Sequence, residues 1–418
     1  MKTPVFAFTC LLLLVTGAFA QGQPAPGAFM PVAAPQMRSA NDTTALGAVA
    51  QQKGADIANR IKFRGYVDMM YSHTEMDLPT GSSADDDQGV FGVKSVDLDF
   101  LFDFSPVTAE IHLQHEHYAD EAVGVEQAFV NYAFNQNFSL TFGRQAQLLG
   151  YEGDEATDQF LSTRTYLAGD NFDLFKNEEL FGSAYPNLEL SDVVGNLHHN
   201  YNDGVRANFN SGRFGLALGL YDGIWKSDSE DSVTGFGDGE WGIDIQAAYV
   251  ITPGLEARVG YARHNDYDGG DDADIDQLNF WISYEVGNWT LAGEYNDYDI
   301  DFAIGTYTPI DPATRSPYVD PLTGLPISFS RSNEDGRAWM LMANYAFTDR
   351  IGATLRYSNE DFDSYDTWKI SIGPSFSITE NFLTRLEYSY AESDVYDIGA
   401  DGGDRDINAF MAEGLFSF

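Results

Sequence analysis

From residue 62 to the end of the chain, hydrophobic and polar residues alternate in segments of about ten residues. A period of two places successive side chains on opposite faces of a β-strand. Aromatic residues lie near the segment ends, as they do in the interface girdles of membrane barrels. The alternation is clearest in five segments: Val96 to Phe104, Phe214 to Leu220, Trp241 to Tyr249, Leu278 to Val286 and Trp368 to Phe376.

The connections between these segments alternate between short and long. The short turns lie at Ser105–Pro106, Asn135–Asn137, Asn210–Gly212, Thr252–Gly254, Gly287–Asn288, Thr348–Arg350 and Thr379–Asn381. The long polar connections are residues 75–90, 146–199, 224–239, 264–274, 299–336 and 392–404.

This alternation of loop length favours an all-β fold, a transmembrane antiparallel up-and-down β-barrel with long outer loops and short periplasmic turns. We predict about 16 strands, an even number that leaves both ends on the periplasmic side. A barrel of this size is wide enough for a water-filled channel. A soluble β-sandwich is the alternative, but it rarely combines aromatic strand ends with such unequal loops.

The C-terminal stretch, residues 407–418, also alternates. Phe410, Phe416 and the terminal Phe418 lie on the same face of this predicted strand. We predict that it pairs with the strand that begins at Lys62. The stretch resembles the closing strand of bacterial outer-membrane barrels, which typically ends in Phe. That resemblance implies that Phe418 contributes a signal for the barrel-assembly machinery.

A strand–turn–strand pattern follows Gly124. Its parts are Gln127–Val130, Leu140–Arg144 and Gly150–Glu152, with a later strand entry at Asn202–Arg206. The pattern resembles the β-barrel porin-2, or OmpL-like, family of bacterial outer-membrane porins, and the phosphate-selective porin O/P-like family is its closest rival. The resemblance implies passive diffusion of small hydrophilic solutes across the outer membrane. It brings no catalytic residues.

The first 61 residues differ in composition from the rest. Residues 1–20 are expected to be a secretory signal peptide, with an apolar stretch from Val5 to Val15 and an A-x-A site before Gln21. Residues 21–61 are predicted to form a Pro/Ala-rich periplasmic tether with a short helix. Residues 62–418 are predicted to form the barrel. No other apolar run approaches the roughly 20 residues of a membrane helix, so crossing a membrane requires a closed barrel.

The chain is strongly acidic, with a formal net charge of −41. Such a surface repels phosphates and argues against nucleic-acid binding. Strand parity places charges of both signs toward the lumen: Asp97, Asp99, Asp103, Glu110, Arg206, Asp244, Glu256, Arg258, Glu294, Arg356, Lys369 and Arg385. The acids outnumber the bases, and rings of carboxylates favour cations.

We therefore predict a porin that prefers cations or neutral solutes. An anion- or phosphate-selective porin is one alternative, although it would need a ladder of lysines and arginines. A non-conducting surface receptor or adhesion barrel is the other, because the outer loops are long.

The connection at residues 146–199 is the longest, and in porins a loop near this position commonly folds into the barrel. The candidate constriction residues are Glu152, Asp154, Glu155 and Asp158. Acids on this loop that face bases on the wall would create a transverse field. Ordinary solvated charges in a wet lumen are the alternative interpretation.

No enzyme motif, cofactor or metal site is predicted. His115 and His117 share one strand face while His112 and Glu116 share the other, so these side chains do not converge. The acidic segment 265–276 departs from EF-hand spacing and is interpreted as a solvated loop, although Ca²⁺ binding stays open. The expected partners are outer-membrane lipids, lipopolysaccharide, the assembly machinery and small solutes, and a homotrimer is left open.

Overall fold

The computed structural model describes residues 60–77, 86–116, 123–153, 155–166, 201–224, 241–267, 273–302, 306–307, 329–330, 333–363, 365–395 and 404–418. The predicted signal peptide, and the predicted tether up to residue 59, lie outside the described residues. Within the described ranges, no helix has the length and hydropathy needed to cross a bilayer.

The strands are numbered in chain order. Their bounds are β1 Ile61–Asp77, β2 Asp86–Phe104, β3 Val107–Glu116, β4 Gly124–Ala133, β5 Phe138–Ala146, β6 Tyr201–Ser211, β7 Phe214–Tyr221, β8 Trp241–Thr252, β9 Leu255–Tyr267, β10 Ala273–Val286, β11 Trp289–Phe302, β12 Thr306–Tyr307, β13 Phe329–Ser330, β14 Glu334–Thr348, β15 Ile351–Phe362, β16 Tyr365–Thr379, β17 Phe382–Val395 and β18 Asp404–Ser417. One 3-10 helix, Ala156–Asp158, follows β5.

Sixteen of these strands form one closed antiparallel barrel. β1 pairs with β18, and β11 pairs directly with β14 because β12 and β13 form a separate two-stranded sheet. The predicted strand number, the antiparallel order and the pairing of the first strand with the last are therefore confirmed. The short turns also lie where the sequence predicts them, between successive barrel strands.

The barrel closes at the C-terminal residue. The backbone N–H of Gly65 donates to the Phe418 carbonyl at 3.1 Å, and the Phe418 N–H donates to the Gly65 carbonyl at 3.0 Å. A Cβ on Gly65 would lie 2.3 Å from the Asp97 carbonyl oxygen, so only glycine fits this close approach. Closure leaves no unpaired sheet edge, as a lipid-embedded sheet requires.

The two faces of the barrel differ as the alternation predicts. On β7, Leu218 and Leu220 are exposed, whereas their neighbours Ala217 and Tyr221 are buried inside. The same alternation holds on β16, where Ile372 faces outward. A continuous apolar outer surface of this kind is unfavourable in water but is stable in contact with lipid chains.

Aromatic residues cluster where short turns join the strands. Ring centroids lie 4.7 Å apart for Tyr132 and Phe134, 4.5 Å for Trp289 and Tyr345, and 6.2 Å for the C-terminal pair that ends at Phe418. These pairs come from different parts of the sheet, but all of them lie at the end of the barrel that carries the short turns. They form one of the two interfacial girdles that a membrane barrel carries.

Candidate functional site

Residues 147–153 and 155–166, here called the inner loop, follow β5 and lie inside the barrel. Most of their side chains are buried, although no strand contains them. The last residue of β5 contacts β6, the start of the loop contacts β8, and its later part contacts β15, β16 and β17. The inner loop therefore crosses the lumen. The remainder of the predicted long connection, residues 167–199, lies outside the described residues.

Polar side chains of the wall hold the end of β5 and the start of the inner loop. Arg206 on β6 donates to the carbonyl of Ala146 at 2.6 Å, and Gln246 on β8 donates to the carbonyl of Leu148 at 2.5 Å. Arg206 also lies 3.7 Å from Asp244, so its charge is partly compensated within the wall. Charged hydrogen bonds to backbone carbonyls are strong in a buried setting.

An apolar cluster fills part of the lumen beside this anchor. The Tyr151 ring meets Trp281 edge-on, with centroids 5.5 Å apart, and the Arg258 guanidinium lies 4.8 Å above the Trp281 ring. Leu149 is also buried in the cluster, and a buried leucine contributes roughly 1.5–3 kcal/mol. The barrel interior is thus not uniformly polar, since the inner loop brings its own hydrophobic surface.

Tyr166 ends the described part of the loop. Burial raises the pKa of its hydroxyl well above the usual range, so the group stays protonated at neutral pH. It donates to Glu294 on β11 at 3.2 Å, and Asn279 donates to the same carboxylate at 2.7 Å. Glu152 and Glu294 both line a small recess between the loop and the wall.

Three bases on adjacent strands form the opposite anchor. Arg356 on β15, Lys369 on β16 and Arg385 on β17 all donate to backbone carbonyls of the loop between residues 156 and 164, at 2.5–2.9 Å. Each of these bases is almost fully buried. The sequence predicts them as lumen-facing charges, and in the structure they hold the loop against the wall.

The acids of the loop meet these bases in direct contact. Glu152 forms an ion pair with Arg356, and both side chains are at most 2% exposed. The Glu152 carboxylate also accepts the backbone N–H of Phe160 at 3.1 Å. The opposite charges of this pair are in contact and do not face each other across an open gap.

The other predicted residues occupy several places. Asp97 and Asp99 on β2 and Glu110 on β3 lie beside His112, near Glu155 of the loop. Asp103 accepts the N–H of Ser105 at 3.0 Å, which places it at the short-turn end of the barrel, and Glu256 pairs with Arg258 at 2.7 Å. The backbone N–H of Asp158 donates to the Glu155 carbonyl at 2.8 Å. Asp154 lies outside the described residues.

Comparison with known proteins identifies the family to which this barrel belongs. A family model described as Gram-negative porin matches residues 43–396. That match spans most of the chain. The chain belongs to the Gram-negative porin family. A search of curated proteins found no match.

Solved structures share the fold of this porin at low identity. An anion-selective porin from Comamonas acidovorans has a TM-score of 0.56 and 16% identity, over 86% of this chain and 99% of that one. The outer-membrane channel DcaP of Acinetobacter baumannii has a TM-score of 0.54 and 13% identity, over 86% and 97%. A trimer form of OmpT from Vibrio cholerae has a TM-score of 0.50 and 12% identity, over 86% and 99%.

The family assignment settles the general function. This porin forms a channel in the outer membrane and is not an enzyme. The OmpL-like and phosphate-selective subfamilies are not distinguished by these matches.

Two lumen acids that contact the inner loop or its basic anchors escape the sequence prediction. Glu387 on β17 accepts the N–H groups of Ser162 at 2.7 Å and Thr163 at 3.0 Å, and Glu413 on β18 pairs with Arg385. Both acids have the lumen-facing parity of their strands, which is the signal that could have found them. Glu387 and Arg385 are two residues apart, so they share one face.

Proposed function

We propose that this porin is a narrow diffusion channel for small hydrophilic solutes that prefers cations or neutral molecules. The observation that carries the proposal is the charge balance of the interior. Among the described residues, twelve aspartates and glutamates are buried, against five lysines and arginines. Carboxylates that line a narrow pore attract cations and repel anions.

The contacts of the bases support the same preference. Four of the five buried bases lie within 4 Å of a carboxylate: Arg206, Arg258, Arg356 and Arg385. The fifth, Lys369, donates to a loop carbonyl. These bases therefore form local ion pairs and loop anchors instead of a continuous track for anions. This arrangement favours an OmpL-like channel over a phosphate-selective one.

Assembly and targeting are proposed on separate grounds. Residues 1–20 direct export, and Phe418 is recognised by the barrel-assembly machinery, while lipids and lipopolysaccharide surround the apolar outer face. The proposal of a homotrimer rests only on the similarity of fold to OmpT, which has a trimer form.

The reversal potential in a salt gradient, measured in a planar bilayer, tests the selectivity. We expect cation preference in the parent protein and a smaller preference in Glu294→Gln, because Glu294 lines the recess beside the inner loop. The matched control is Asp349→Asn, which removes one exposed acid from the short turn between β14 and β15. Anion selectivity in the parent would refute the proposal and favour the phosphate-porin alternative.

A second candidate is a non-conducting barrel that serves as a receptor or an adhesion surface. It is favoured by one observation, the dense packing of the inner loop against Trp281 and its neighbours. The same bilayer experiment separates the two, because a barrel plugged by its loop conducts no current.

A further inference from the structure

We infer that this porin binds a divalent metal cation at a site built from Asp97, His112, Glu126 and Glu155. One ligand atom from each residue lies within 4.8 Å of the others, and all four residues are buried. They come from β2, β3, β4 and the inner loop. The site therefore joins the loop to a second part of the wall, on strands other than those of the three basic anchors, and its argument does not rest on the proposed ion selectivity.

The size of the cluster fits one ion. Imidazole nitrogens and carboxylate oxygens bind Zn²⁺ at about 2.0–2.2 Å, so two ligands of the same ion are separated by at most about 4.4 Å. In the cluster, Nδ1 of His112 lies 4.0 Å from a Glu126 oxygen and 3.8 Å from a Glu155 oxygen. A cation between these atoms would need only small side-chain movements.

The histidine is oriented as metal ligands usually are. Its Nε2 lies 3.1 Å from a Glu110 carboxylate oxygen, and a proton on Nε2 leaves the lone pair of Nδ1 toward the cluster. A carboxylate that holds the far side of a ligating imidazole in this way sets its tautomer and raises its basicity. Nδ1 lies 3.1 Å from the Gln127 amide nitrogen and 3.0 Å from an Asp99 oxygen, and a bound cation would displace the amide.

A second observation points to a ligand. Asp97 is 1% exposed, and its Oδ1 has no hydrogen-bond donor among the described residues. A buried carboxylate oxygen without a partner carries a large desolvation cost. Asp99 adds a further charge, with an oxygen 3.0 Å from His112.

One base lies beside this cluster of acids. Arg64, whose side chain is half exposed, contacts Asp99 at 2.5 Å and Glu110 at 3.5 Å. Three carboxylates and one imidazole make a ligand set for a divalent cation that accepts both oxygen and nitrogen, such as Mn²⁺ or Zn²⁺.

Sequence parity along β3 predicts no metal site, because His112 does not converge with the other histidines of its own strand. The proposed site does not depend on them. Its ligands come from three neighbouring strands and from the loop, so only the folded barrel brings them together.

The test is a titration of the full-length protein, assembled in detergent micelles and stripped with EDTA, with Mn²⁺ at physiological salt. Free Mn²⁺ is measured by electron paramagnetic resonance. We expect saturation at one equivalent. Loss of a supporting residue typically weakens metal binding 10–100-fold, so Asp97→Asn and Glu126→Gln should each weaken it at least about tenfold. Glu360→Gln, a similarly buried lumen acid on β15 outside the cluster, should leave the affinity unchanged.

A stability measurement keeps the test decisive if a variant folds poorly. In EDTA, Asp97→Asn should unfold at the same urea concentration as the parent or a higher one, because it relieves repulsion between buried like charges. In Mn²⁺ the order should reverse. The proposal is overturned if the parent shows no saturable Mn²⁺ binding, or if parent and Asp97→Asn bind Mn²⁺ equally. Binding is measured without a membrane, so this result is separate from any result on conductance.

Discussion

Replacing Arg356 with methionine should release the inner loop from the wall while leaving the barrel assembled. Arg356 is 1% exposed, pairs with Glu152, and donates to two loop carbonyls at 2.7 Å. Arg356→Met leaves the Glu152 carboxylate buried without its base. Removal of one partner of a buried ion pair typically costs about 3–5 kcal/mol.

That cost should appear as local opening and not as global unfolding. The barrel strands are held by their own continuous backbone hydrogen bonds, whereas the loop depends on side-chain anchors. Local segments open with free energies below the global value. A loss of about 3 kcal/mol corresponds to a change of about two orders of magnitude in the opening equilibrium.

The assay measures the rate at which a thiol reagent labels a cysteine in the loop. Ser162→Cys provides the reporter, since Ser162 is 2% exposed, and Cys10→Ser removes the natural cysteine. We expect Arg356→Met to accelerate labelling by about two orders of magnitude. A reporter at Ser139→Cys on β5, away from the loop contacts, should label at an unchanged rate.

A double variant separates charge from packing. Glu152→Gln combined with Arg356→Met keeps an acceptor for the Phe160 N–H and leaves no unpaired charge. Replacement of both partners of a buried ion pair is often close to neutral, so the double variant should label more slowly than Arg356→Met alone. Equal labelling rates in the parent and in Arg356→Met would refute the role of Arg356 as a loop anchor.

Three further predictions concern the barrel itself. Deletion of Phe418 removes the backbone pair with Gly65 and should lower the amount of protein in the outer membrane, measured in membrane fractions, and normal levels would contradict it. Gly65→Ala should lower the urea midpoint because its Cβ would meet a backbone oxygen at 2.3 Å, whereas Gly92→Ala, with nothing within 4 Å, should not, and equal midpoints would count against the close approach. Ile372→Lys places a charge on the lipid face and should destabilise the barrel in vesicles by about 2–4 kcal/mol, and an unchanged unfolding free energy would argue against lipid contact there.

Much of the barrel was predictable from the sequence because strand signals are local. The alternation around Ile372 depends only on residues two apart, and the same holds for the C-terminal stretch that ends at Phe418. Since one slip of register would move every side chain to the opposite face, the pattern also specifies which residues face inward. The lumen-facing parity of Arg356 and Glu387 follows from the same rule.

The contacts inside the lumen depend on barrel closure, and no local pattern encodes them. Glu152 and Arg356 are 204 positions apart, and the inner loop brings them into contact only after β15 has joined the sheet. His112 and Glu126 come together because their strands pair side by side. Periodicity thus determines which face each residue occupies, while the tertiary structure decides which charges neutralise each other and which ones gather around a shared space.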